Sequence, residues 1–105
     1  MSDDQGARAS SEDVRRETRG SSGGRWVIVV DGHEAEMTYS RASDELIIID
    51  HTEVPDALRG RGVGQALVLR AVEDARREVF RIIPLCPFAR AQFARHAEWG
   101  DVLSR

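Results

Sequence analysis

Between Val54 and Gln65 the chain reads Val-Pro-Asp-Ala-Leu-Arg-Gly-Arg-Gly-Val-Gly-Gln, a basic, glycine-rich turn. Glycines let backbone N–H groups converge on an anion without interference from Cβ atoms. A helix starting behind such a turn adds unpaired donors and the positive end of its dipole. Arg59 and Arg61 would add charge, with guanidinium geometry suited to phosphate oxygens. The chemistry implied is capture of a pyrophosphate by the turn Arg59-Gly60-Arg61-Gly62-Val63-Gly64-Gln65. A second reactive position is Cys86, directly before Pro87, where helix-terminal amides could stabilise a thiolate. The alternative for Cys86 is a small buried hydrophobe, the usual fate of a free cysteine. His51 and Glu53 alternate just upstream of the turn, and His51 has the intrinsic pKa of a general base. The competing readings are a histidine that hydrogen-bonds the backbone and a solvated Glu53.

These residues need a scaffold, and hydrophobic periodicity supplies one. Trp26-Val27-Ile28-Val29-Val30 is a β-branched run ending at the turn pair Asp31-Gly32. Next, Ala35, Met37 and Tyr39 alternate with Glu34, Glu36 and Thr38, the pattern of a strand with one buried face. After a polar break at Arg41 to Asp44, Leu46 to Ile49 is apolar on both faces, and this strand can continue to Val54, before Pro55. From Gly62 the period becomes helical. Gly64, Leu67, Val68, Ala71, Val72, Ala75 and Val79 share one stripe, while Arg70, Glu73, Asp74, Arg76 and Arg77 fall mostly elsewhere. Glu73 and Arg77 are spaced for a weak surface pair. Val79 to Leu85 reads as a short strand, and Pro87 opens a helix to about Ala97. The fold class expected is α/β in the α+β sense: a mixed, largely antiparallel sheet of about four strands with two packed helices.

The chain of 105 residues has room for one domain, which the apolar pattern places at residues 25–105. Met1 to Gly24 has almost no large apolar residue and is expected to be a flexible tail. With 15 basic and 18 acidic residues the net charge is −3, which gives no general attraction to nucleic acid. Every basic residue is Arg, so placement rather than residue type carries the argument at Arg59 and Arg61. A single cysteine leaves no internal disulfide and no cysteine-cluster metal site. No apolar stretch approaches the roughly 20 residues of a membrane span, and Met1 to Gly24 lacks the apolar segment expected of a secretory signal. A cytoplasmic protein, off the membrane and without metal, is expected.

Arg59-x-x-Gly62-x-Gly64, with Val54 five residues ahead of Arg59, resembles the acetyl-CoA signature of the GNAT acyltransferase superfamily. The wider strings His51-Thr-Glu-Val-Pro, Arg-Gly-Arg-Gly-Val-Gly and Ile82-Ile-Pro-Leu-Cys-Pro-Phe resemble its small, minimal branch, over roughly Trp26 to Trp99. The resemblance implies that amides of Arg61 to Gln65 bind the CoA pyrophosphate. It also implies that the Val54 backbone bonds the pantetheine as an added strand. It places Cys86 where the acetyl group would lie, as nucleophile or as acid toward the CoA sulfur, and His51 where related enzymes put a base. The implied function is an acetyl-CoA-dependent N-acetyltransferase acting on an amine acceptor, protein amines included, as a monomer or weak dimer. The alternative is a CoA-binding or acyl-CoA-binding module with little turnover.

Other nucleotide motifs fit worse. A Walker loop would end in Gly-Lys-Ser/Thr, but Gln65 and Ala66 follow Gly64. A dinucleotide fingerprint would need glycine at Gln65 or Leu67. The sequence also departs from larger GNAT enzymes. Near Phe93 those enzymes commonly carry a tyrosine that protonates the CoA thiolate, and here Ala94 offers no hydroxyl. Tyr39 alternates with Met37 and reads as core, while His33 and His96 read as surface residues. The chain ends soon after the last helix without a closing hairpin, so the acceptor pocket is expected to be open or completed by another chain.

Overall fold

A computed structural model describes residues 8–104. Five strands form one sheet in the order β1 (Arg15–Arg19), β2 (Gly23–Val30), β3 (His33–Ser43), β4 (Leu46–Glu53) and β5 (Arg81–Pro84). The first four are antiparallel neighbours, and β5 joins β4 in parallel through the crossover helix α1 (Val63–Glu78). Helix α2 (Pro87–Arg95) follows β5. The core lies between one sheet face and the helices. Trp26, Ile28, Ala35, Met37, Tyr39, Ile47 and Ile49 meet Leu67, Val68, Ala71 and Val72 there, all buried. The alternation expected of β3 holds: Ala35, Met37 and Tyr39 face inward. On the opposite face, Arg25 binds Glu17, Glu34 and Glu36 together, and the three hydrogen bonds hold the guanidinium pKa well above its ordinary value.

The sheet has one strand more than expected, and the extra strand comes from the supposed tail. The part of that tail at residues 1–7 lies outside the described residues, but residues 8–24 are built into the fold. Residues Ser11–Asp13 form a 3-10 turn, Val14 is buried in the core, and β1 ladders along β2. The sequence of β1, Arg-Arg-Glu-Thr-Arg, has no apolar pattern to reveal this. Its order comes from partners elsewhere. The Arg16 guanidinium lies over the rings of Trp26, Tyr39 and Phe80 and donates to Tyr39 and Glu78. Burial by itself would lower the pKa of Arg16, but those hydrogen bonds outweigh it and raise it. Gly24 makes the close approach possible, since a Cβ there would stand 2.9 Å from the Tyr39 hydroxyl and nearer still to the Glu17 carbonyl. The domain therefore includes residues 8–24.

Four further expectations change. Val79 is neither on the helical stripe nor in a strand: it ends α1 in the left-handed region at φ 63° and is 77 % exposed. That reversal turns Phe80 into the core, and β5 starts only at Arg81. Asp74, counted with the polar face, is 1 % exposed and accepts hydrogen bonds from Trp26 Nε1 at 2.9 Å and Arg70 Nε at 3.1 Å. Arg77 pairs with Asp74 rather than with Glu73. Helix α2 stops at Arg95, and a 3-10 segment, Ala97–Val102, leads to Leu103 and Ser104, which bind back against Ile82.

Strand β4 is irregular at two points near its C-terminal end. Thr38 pairs with His51 while Tyr39 pairs with Ile49, so Asp50 is an extra residue, a β-bulge. The pairing of β4 with β5 also ends at Ile49 and Pro84, where the Ile49 carbonyl accepts from both Leu85 N and Cys86 N at 3.1 Å. Beyond that point the chain leaves for α2. The last residues of β4, Asp50 to Glu53, have β3 as their one strand neighbour among the described residues.

Candidate active site

The turn after β4 is built by backbone conformation. Pro55 begins a 3-10 turn at Asp56–Leu58, with Leu58 buried as an anchor. Gly60 and Gly62 then take positive φ angles of 81° and 73°, which L side chains rarely adopt. Gly62 caps α1, and the first helical amide with a backbone acceptor is that of Ala66, donating to the Gly62 carbonyl at 2.9 Å. The amides of Val63, Gly64 and Gln65 precede it and have no acceptor among the described residues, which leaves them for an external one.

These amides border a groove of about 600 Å3 between the β4 end and the start of α2. Among the expected residues, Val54, Arg59, Gly60, Gly62, Val63, Gly64 and Gln65 line it. The wall is completed by Arg8, Phe88, Gln92 and Arg95, none of which the sequence pattern singles out, along with Pro55 and Leu58. The lining holds three arginines and no carboxylate, in a chain whose overall charge is −3. A polyanion fits that lining.

Two expected residues behave differently. Arg61 turns its guanidinium away to the β2–β3 turn, donating to Asp31 at 2.7 Å. That hydrogen bond, with the accompanying charge attraction, holds the Asp31 carboxyl below the usual carboxylate range. Arg61 ties the loop to the sheet instead of lining the groove. Gly64 lines the groove and also permits a helix contact: a Cβ there would lie 2.8 Å from Phe88 Cε2 and closer to Cζ.

Cys86 sits where β4 and β5 part, at the N-cap of α2, and is 5 % exposed. Its sulfur accepts from Ala89 N at 3.4 Å and lies 3.3 Å from Thr52 Oγ1. Nothing in the sequence marks Thr52 except its position between His51 and Glu53. Side chains alternate along a strand, so if Thr52 meets Cys86, His51 points to the other face. There the imidazole is 63 % exposed and lies 3.7 Å from Glu53. The structure does not bring His51 to Cys86. Tyr39 is buried under Trp26, with ring centroids 4.5 Å apart, as a core residue. His96 stacks on Trp99 at 4.0 Å. Among the described residues no group of His, Cys, Asp and Glu is arranged to hold a metal ion, and no helix is long and apolar enough to cross a membrane.

A family model for the GCN5-related N-acetyl-transferase domain matches residues 25–102. The chain belongs to the GCN5-related N-acetyltransferase family. The NMR solution structure of a GCN5-like candidate N-acetyltransferase from Staphylococcus aureus is similar over 88 % of this chain and 89 % of that one, at 32 % identity and a TM-score of 0.66. No curated protein matches the chain. The matched span runs from Arg25 within β2 to the end of the 3-10 segment, and includes the groove turn, Thr52 and Cys86. Arg8 and β1 lie ahead of it.

Proposed function

We propose that the protein is an acetyl-CoA-dependent N-acetyltransferase that transfers acetyl to an amine. The observation that carries this reading is the groove itself: open amides at Val63, Gly64 and Gln65, an all-cationic charged lining, and a strand edge leading toward a thiol. The amides and Arg59 would hold the pyrophosphate, and the Val54 backbone, at the end of the unpartnered β4 edge, would hold the pantetheine arm. When bound, acetyl-CoA would supply a thioester for the Cys86 thiol to attack. A new C–S bond would form to Cys86, the bond to the CoA sulfur would break, and the proton leaving Cys86 would end on the departing thiolate. An amine would next attack the acetylated Cys86: the amide C–N bond forms, the bond to the Cys86 sulfur breaks, and of the two protons the ammonium gives up one returns to that sulfur and the other passes to solvent. The Ala89 amide donates to the sulfur and the Thr52 hydroxyl lies beside it, so both steady the thiolate at each stage.

A second reading, a CoA-binding module with little turnover, draws on one observation. The Cys86 sulfur has only uncharged neighbours, Thr52 and Ala89, as hydrogen-bond partners among the described residues. Two measurements separate the readings. Calorimetric titration is expected to show saturable binding of acetyl-CoA and CoA, and its absence at high micromolar ligand would remove both. Mass spectrometry after incubation with acetyl-CoA is expected to find an acetyl group on Cys86. An unmodified cysteine, with turnover unchanged in Cys86→Ala, would refute the nucleophile.

A further inference from the structure

The turn carries two arginines, each paired with a carboxylate at 2.7 Å: Arg59 with Asp56 at the groove, and Arg61 with Asp31 away from it. The side chain standing over the cradle comes from far away in sequence. A Cβ on Gly62 would be 2.7 Å from Arg8 Nη2, 3.0 Å from Cζ and 3.1 Å from Nε, so the guanidinium lies directly against the left-handed glycine. We propose that Arg8 is the second phosphate-binding cation of this site, in the role the sequence suggests for Arg61. This rests on the reading of the groove as a CoA site.

The segment that carries Arg8 is anchored on its C-terminal side. Ala9 donates to the Arg61 carbonyl at 2.9 Å, which fastens the segment to the glycine turn. Downstream, Ser10 caps the Ser11–Asp13 turn, Val14 is buried, and Arg70 donates to the Val14 carbonyl. Arg8 therefore reaches the groove from a segment anchored by its own backbone and by the core. It borders the main groove and also a neighbouring hollow of about 280 Å3 against Gln65 and Leu69. A guanidinium there flanks the amides of Val63 to Gln65 and can pair with a phosphate oxygen they hold. The N-terminal segment, outside the span that defines the family, becomes part of the cofactor site.

The test is calorimetric titration of the full chain with CoA at low and moderate salt, comparing wild type, Arg8→Ala, Arg8→Lys and Gly62→Val. Arg15→Ala serves as a charge-matched control on β1, paired with Glu17. Arg8→Ala is expected to weaken CoA binding about tenfold and to flatten its salt dependence. Arg8→Lys should recover part of the loss, and Arg15→Ala should match wild type. If Arg8→Ala binds CoA as well as or better than wild type while Gly62→Val abolishes binding, Arg8 is not a ligand and the reading of the groove stands. An equal loss in Arg15→Ala would also overturn the assignment, since diffuse charge would then explain it. No saturable binding by wild type would overturn both.

Discussion

Gly64→Ala should destabilise the protein, and the same change should stabilise it once Phe88 is gone. Gly64 is the second residue of α1 and has no positive φ, so its backbone suits alanine. In a helix that replacement is favourable by about 0.5–1 kcal/mol. Against it stands the Phe88 ring. An added Cβ would lie 2.8 Å from Cε2, 3.2 Å from Cε1 and closer still to Cζ, too near for carbon atoms. Overpacking of this kind costs about 1–3 kcal/mol. Phe88 is 38 % exposed, so its ring can partly turn away, which favours the lower end of that range. The balance is a net loss of about 1 kcal/mol. In Phe88→Ala the obstacle is absent, and Gly64→Ala should add about 0.5 kcal/mol of stability. A double-mutant cycle by urea denaturation, with all four proteins measured at one pH, reads a coupling of about 1.5 kcal/mol. Additive effects within about 0.4 kcal/mol would refute the assignment of Gly64 as the contact point between α1 and α2.

Asp74→Ala removes the acceptor shared by Trp26 Nε1, Arg70 and Arg77 in a buried position, and should cost about 3 kcal/mol in chemical denaturation; a loss below about 1 kcal/mol would mean the network is not stabilising. The hydrogen bond from Arg61, with its charge, holds the Asp31 carboxyl below its ordinary value, so the pair's contribution is present above the unfolded-state pKa and is lost as pH falls through the lower folded value. An NMR titration of the Asp31 carboxyl carbon should show its midpoint rise in Arg61→Ala; an unchanged midpoint would break the pairing.

The groove turn was legible in sequence for a local reason. Glycine conformational freedom, a strand pattern before the turn and a 3.6-residue period behind it are all short-range, and Val54, Gly60, Gly62, Gly64 and Gln65 line the groove where those signals point. The arginines were less legible, because where a long side chain goes depends on what faces it. Arg59 pairs with Asp56 three residues away and stays at the groove, whereas Arg61 is drawn off by Asp31, which is thirty residues away. Cys86 was correctly expected at the end of a strand and the start of a helix. Its partner was not, since strand alternation admits either His51 or Thr52 until the bulge and the parting of β4 from β5 decide which face meets the thiol.

By itself, the sequence determined the mixed sheet, the crossover helix and the glycine turn, because each depends on backbone conformation and on the period of apolar residues over a dozen positions or fewer. Tertiary structure alone decided three things. It made an arginine-rich segment into β1 by giving the Arg16 stem a bed of aromatic rings. It buried Asp74 by surrounding the carboxylate with donors from β2 and α1. And it set Arg8 over Gly62. All three depend on charged side chains whose placement is governed by partners distant in sequence, and hydrophobic patterning carries no record of such partners.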